Sequence, residues 1–201
     1  MWKIIRSNHR IKYVVVLGSI GFVVFYILSA IKYPGGSDFD TYSKGFSLTE
    51  NYWCELLGAY AKNGRPNHGK PYAFISLAFL NITLFSIWFY FGYYKSVNHQ
   101  PNYLLIVSGT ISIFFSNFVS TNAHDYYIAL SVLFGVISIL QMMRIQKQNN
   151  HFLFLTGLLA ILLIILNCFM YFFNFHLLSL PIIQKITFIF ILSWFILNVI
   201  L

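Results

Sequence analysis

Three histidines, His68, His124 and His176, and two carboxylates, Glu55 and Asp125, are the side chains with which this chain could do chemistry. All five fall in segments that share one side of a membrane once the apolar stretches around them are read as crossings. Imidazole and carboxylate suit zinc, and zinc could activate water against a lipid amide or ester. Two facts weigh against a metal centre. No two of these histidines have the i, i+4 spacing that sets a pair of ligands on one helix face. The other three, His9, His99 and His151, fall on the opposite side, so the outer side holds no excess. The competing reading is histidines bonded to headgroups, to loop carbonyls or to each other.

His124-Asp125 is the sharpest local feature. The pair supplies a general base and its orienting carboxylate, or a polar anchor for a headgroup. Asp125 equally suits the N-cap of the helix that follows. Cys54 reads as a nucleophile or as a small apolar side chain. No basic residue stands three or four positions away to lower its pKa, and Glu50 would raise it. Cys54 and Cys168 form no framework and no metal spacing, although a disulfide between them is compatible with the topology.

The elements that must carry these residues are apolar. Charged residues are 9% of the 201 positions and hydrophobic ones 58%, with a mean hydropathy of +0.70. That leaves too little polar surface for a water-soluble fold and no room for a separate soluble domain. The expected fold is all-α, a single polytopic membrane helix bundle over residues 1–201. Its six transmembrane helices are expected at Tyr13–Ile31, Tyr72–Tyr94, Tyr103–Val119, Tyr126–Met143, Phe152–Phe173 and Pro181–Leu201. Met1 opens a basic stretch and then an apolar one, but the apolar run is too long for a signal peptide and no small-x-small site follows. A retained anchor is expected.

Lys3, Arg6, Arg10, Lys12, Lys95, Arg144 and Lys147 lie in one set of short loops and ends, while all five acids lie in the other. The positive-inside rule then sets both termini in the cytoplasm, with the surface loop 33–70 outside. The net charge of +8 is scattered over segment ends, which excludes a nucleic-acid footprint.

That surface loop opens with Tyr33-Pro34-Gly35-Gly36, a turn signal. Ser47-Leu48-Thr49-Glu50 fits a capping box. A short amphipathic helix is expected from Leu48 to Lys62, with Leu48, Tyr52, Trp53, Leu56, Leu57 and Tyr60 on its apolar arc, either capping the bundle or lying at headgroup level. The run from Tyr33-Pro34-Gly35-Gly36 through Gly45-Phe46-Ser47, Asn51 and Cys54-Glu55-Leu56 to Asn63-Gly64 and Pro66-Asn67 resembles a bacterial family of uncharacterised six-helix membrane proteins with a Tyr-Pro-Gly-Gly motif after the first helix. It is distantly similar to the DRAM-like group. The chain departs from that pattern at Cys54 and Glu55, where serine and aspartate are expected. The resemblance implies a six-helix topology and a bacterial inner membrane, and Tyr33, Pro34, Gly35, Gly36, Asn51, Trp53 and Cys54 are expected as structural or interface residues. It brings no activity with it.

Within the spans no ionisable residue lies near the middle, which argues against a proton-coupled pump. Ser108, Ser112 and Ser116 recur every four residues, and Ser131 and Gly135 form a small-x-x-x-small pair. These, with Asn81, Asn167 and Asn198, read as helix-packing residues or as the lining of an outward polar cavity. Two functions follow. The first is a non-catalytic, cofactor-free membrane protein that binds lipid or serves as an accessory subunit beside other membrane proteins. The alternative is a membrane-embedded hydrolase or transferase acting on a lipid through His124, Asp125 and Glu55, with zinc held by His68, His124 and His176. A transporter ranks third, since no inverted repeat is evident.

Overall fold

The computed structural model describes residues 2–95, 100–121 and 123–201. His99 lies outside the described residues. Six α-helices run through the described residues: α1 (Trp2–Lys32), α2 (Lys70–Phe89), α3 (Tyr103–Ser116), α4 (His124–Asn149), α5 (His151–Phe172) and α6 (Leu180–Ile200). A wider π-helical turn, Tyr90–Tyr94, extends α2. Pro71 and Pro181 sit in the first turns of α2 and α6, where the missing N–H has no helical partner to lose.

Among the described residues, five stretches are long and apolar enough to cross a membrane: Arg10–Lys32, Lys70–Tyr94, His124–Asn149, His151–Phe172 and Leu177–Ile200. The expected third crossing is shorter than the sequence implied. α3 has 14 residues, about 21 Å of helix against roughly 30 Å of hydrocarbon. It stops where Ser116 Oγ and Asn117 Nδ2 both donate to the Ile113 carbonyl, and the chain then turns through Asn117–Ser120. Side chains that bond backbone carbonyls in this way favour a helix end. Large apolar side chains such as Ile20, Ile27, Leu104, Leu162 and Ile189 face outward and are exposed. In water such a surface would drive association; in lipid it is the solvated face.

Each helix packs chiefly on its neighbours in sequence, and α6 returns to α1. The six therefore close into a ring. One end of the ring is filled. Val15, Trp88, Phe91, Leu105, Met142, Trp194 and Phe195 are buried there in one cluster. Trp194 donates to the Leu153 carbonyl at 2.9 Å, and Gln146 donates to Asn198 Oδ1 at 2.6 Å. The small residues of α3 and α4 pair across their contact: Ser108 Oγ lies 2.6 Å from Ser138 Oγ, and Ser112 Oγ donates to the Ser131 carbonyl at 2.7 Å. The packing role expected for the serine row is therefore met at Ser108 and Ser112.

At the other end the segment between α1 and α2 folds over the ring. It differs from the amphipathic helix expected over Leu48–Lys62. The helical part is a single five-residue 3-10 turn, Trp53–Leu57. The capping box does not form: Glu50 accepts from Ser37 Oγ at 3.0 Å, and Ser47 Oγ pairs with Thr49 Oγ1. Leu48 and Tyr60, expected on the buried arc, are 62% and 69% exposed.

Asparagines explain the difference. Asn51 is fully buried; its Nδ2 donates to the Gly36 carbonyl and its Oδ1 accepts from Ser47 N–H. Asn63 Nδ2 donates to the Pro34 carbonyl, and Asn67 Nδ2 to the carbonyls of Leu56 and Gly58. Each of these bonds satisfies backbone that a continuous helix would have satisfied itself, so the segment is stapled rather than helical. Gly35 and Gly36 have φ of 126° and 83°. A Cβ at either would also meet backbone of the same loop, at Ser43 and Asn63.

Trp53 locks this lid into the ring. Its ring stacks on Phe22 at 4.3 Å and Tyr26 at 4.2 Å, both on α1, and lies 4.7 Å from Phe188 on α6. Its backbone N–H donates to Gln184 Oε1 on α6. A side chain from the lid thus lies between α1 and α6. Lys185 of α6 donates to the Asn51 carbonyl at 2.7 Å and ties the same seam.

Candidate functional site

Between the lid and the filled end, the ring surrounds a half-open cavity of about 700 Å³. Its wall is mostly apolar and is drawn from α2, α3, α4, α5, α6 and the lid, with no residue of α1. Leu80 and Leu84 of α2, Val132 and Val136 of α4, and Ile191 and Leu192 of α6 are among the lining residues. Trp88 and Phe195 meet edge to face at 5.3 Å and close the floor. Trp88 stands about 27 Å of helix from the start of α2. At the lid end the lining includes the exposed Asp38, Tyr60 and Lys62. Asp38 and Lys62 form an ion pair there.

Two of the five candidate catalytic and metal residues line this cavity: Glu55 from the lid and His124 from the start of α4. Asp125 stands beside it. His124 Nδ1 is 3.0 Å from Asp125 Oδ1, and the Tyr171 hydroxyl donates to the same oxygen at 2.6 Å. The N-cap expected of Asp125 is not seen. The cap position is Ala123, and Asp125 lies in the first turn. His68 and His176 are exposed, and His176 has a φ of 47°. Neither lines the cavity. Among the described residues no three of His, Cys, Asp and Glu gather closely enough to hold a metal ion. The three-histidine set is not assembled.

Glu55 is 9% exposed. Its Oε2 accepts from Asn51 Nδ2, while its Oε1 has no partner among the described residues. Burial pushes its pKa above the ordinary carboxylate value, against the pull of the Asn51 bond and of Lys62. Burial first, and then the neighbouring Glu55, push the Cys54 thiol up to about 12. A thiol held protonated is no nucleophile. Cys54 and Cys168 are both free. The Tyr33 hydroxyl, also pushed up to about 12 by burial, accepts from Lys62 N–H and serves the lid's structure.

Further residues complete the site. Asn167 of α5 donates through Nδ2 to the Leu163 carbonyl and to Thr187 Oγ1 of α6, leaving Oδ1 without a partner. A backbone carbonyl only accepts, so the Leu163 bond fixes which way the amide faces. His124 Nε2 and Trp88 Nε1 are likewise buried and unpartnered. Glu55, His124, Asn167 and Trp88 all line the cavity. Asn167 was legible as a polar residue in an apolar span, with packing and cavity lining both open to it. Trp88 and Tyr171 gave no signal, since aromatics are 20% of the chain. No protein-family model, no curated protein and no solved structure matches this chain.

Proposed function

We propose that this is a non-catalytic integral membrane protein of six crossings that holds one lipid-like molecule inside its helix ring. The observation that carries the reading is the cavity itself: about 700 Å³, mostly apolar, floored by Trp88 and Phe195, and lidded by a stapled loop. That volume falls within the roughly 300–1,000 Å³ of small-molecule sites and admits a single acyl chain rather than a two-chain phospholipid. The short α3 makes its crossing with the turn Asn117–Ser120 and local thinning of the bilayer. The positive-inside pattern supports cytoplasmic termini and an external lid. Tyr33-Pro34-Gly35-Gly36, Asn51, Asn63 and Asn67, which carry the resemblance to the Tyr-Pro-Gly-Gly family, act in this reading as the staples that hold the lid. A bacterial inner membrane is the proposed setting.

Organic extraction of the purified protein, followed by lipid mass spectrometry, tests the reading. A single-chain amphiphile enriched to about one per chain is expected. An extract containing only bulk lipids in bulk proportions would contradict it.

A second reading, a lipid hydrolase or transferase, is favoured by one observation. His124 has a carboxylate on Nδ1 and a free Nε2 in the cavity wall, the arrangement a general base needs. Turnover of a single-chain lipid ester that His124→Gln abolishes would establish it over the first.

A further inference from the structure

The cavity has a mouth at one end and a blind floor at the other. Its exposed lining residues all lie at the lid end: Asp38, Tyr60 and Lys62 of the lid, Ser120 and Thr121 before α4, and Phe172 at the end of α5. At the floor, Trp88 and Phe195 are 2% and 1% exposed. Both rings are held from behind. A Cβ at Gly109 of α3 would stand 2.4 Å from the Trp88 ring, so the missing side chain lets the indole lie against α3. Phe195 packs on Trp194 at 5.4 Å, and the Trp194 indole donates to the Leu153 carbonyl. A floor packed in this way yields little to a chain pressing on it.

Helix rise gives the depth. The lining of α4 runs from His124 to Ile139 and that of α6 from Leu180 to Phe195. Each stretch is about 22 Å of helix. The wall changes character part of the way down. Below Ser131 on α4 and Thr187 on α6, the lining residues of these two helices are valine, isoleucine, leucine, phenylalanine and one glycine. That lower wall is about 12 Å deep, and a polar end pushed into it would lose its water without gaining partners. A chain that enters therefore sends its methyl end down. The methyl rests about 4 Å above the floor rings, which leaves about 18 Å of well. An extended hydrocarbon chain advances about 1.25 Å per carbon, from a C–C bond of about 1.5 Å and a near-tetrahedral angle.

We propose that the cavity is a chain-length gauge: it takes one unbranched hydrocarbon chain of about 14–16 carbons, methyl end down, and Trp88 and Phe195 are the residues that set the length. A shorter chain leaves a void over the floor, whose lining then lacks contact partners. A longer one must bend within a well already filled, or leave methylenes among the charged groups of the mouth. Transfer from a detergent micelle to the well moves the chain between two apolar surroundings, so the preference reports fit rather than hydrophobicity. The headgroup stays at the mouth and does not alter the length preferred.

This rests on the lipid-binding reading above, and the experiment keeps the two apart. The full-length protein in detergent is equilibrated with an equimolar ladder of saturated lysophosphatidylcholines of about 10 to about 20 carbons, and separately with the matching monoacylglycerols. Native mass spectrometry reads which chains are carried as a single adduct. The distribution is expected to peak at about 14–16 carbons in both ladders and to fall about fivefold or more by about 20 carbons. Phe195→Ala deepens the well and is expected to move the peak to chains longer by about two carbons or more. Leu84→Trp sets an indole one helical turn above Trp88, on a residue that also lines the cavity, and is expected to shorten the preferred chain by about four carbons. Either shift supports the assignment of the floor if the other variant does not fold. Adducts that merely follow the input mixture, a peak that differs between the two ladders, or a peak that neither folded variant moves would overturn the gauge and leave lipid binding standing. No adduct of any chain, on wild-type protein that keeps its fold, would overturn both.

Discussion

Single side chains decide whether the lid exists. Asn51 is fully buried and serves Gly36, Ser47 and Glu55 at once. Asn51→Leu strands the buried Gly36 carbonyl and the part-buried Ser47 N–H, and should cost about 2–4 kcal/mol, two unmatched groups at about 1–3 kcal/mol each with partial relaxation. A thermal unfolding curve in detergent checks this, and a melting temperature equal to wild type would show that the asparagine does not staple the loop. Glu55 gives the lid a pH dependence. Burial raises its folded pKa above the 4.5 of an ordinary glutamate, so the folded lid binds this proton more tightly than the unfolded chain. The stability it adds is complete below about pH 4.5 and is lost as the pH climbs through the folded value. Lid protection measured by hydrogen exchange should therefore fall as pH rises from 4.5, after correction for the intrinsic exchange rate, and Glu55→Gln should flatten that fall. An equal slope in both proteins would assign the titration to groups other than Glu55.

At the scale of elements, the lid and the ring meet through one aromatic wedge. Trp53→Ala removes the stack on Phe22, Tyr26 and Phe188 and leaves a gap between α1 and α6. Large aromatic truncations in well-packed sites cost about 3–5 kcal/mol, and a loss of that size is expected in a denaturant titration. A loss under about 1 kcal/mol would mean that the ring closes without the wedge. How these elements could be read beforehand varied with the range of the interactions that make them. The helices themselves were plain, because a 20-residue apolar run has one solution in lipid. The turn at Gly35 and Gly36 was equally plain, because its cause is local backbone freedom. The serine row was readable as packing or as cavity lining, and it does both: Ser108 packs on Ser138, while Ser112 bonds to Ser131 and also lines the cavity. The segment Leu48–Lys62 was misread as a helix. Its apolar spacing matched a helical face, but the bonds that decide it run from Asn51 to Gly36 and from Asn67 to Leu56, across sequence gaps that periodicity does not see. The same limit hid the site. His124 and Asp125 were adjacent in the chain and legible, whereas the union of Glu55, Asn167 and Trp88 around one cavity is a product of ring closure.

The whole molecule carries two proposals, an orientation read from its charge pattern and a ligand held in the hollow of its ring. Cysteines introduced at Lys44 and Gln148, in a chain with Cys54 and Cys168 replaced by serine, test the orientation. The lid position should react with an impermeant maleimide in intact cells, and position 148 only after permeabilisation; the reverse pattern would invert the topology. The hollow is the central claim. Native mass spectrometry of the protein released from detergent measures it most directly, by comparing wild type with Val132→Trp, which places an indole into the cavity from α4. Wild type should carry one single-chain amphiphile as a persistent adduct, and Val132→Trp, with the same fold by circular dichroism, should carry none. Equal adducts on both proteins, or bare wild type under conditions that keep the fold, would contradict a ligand held within the ring.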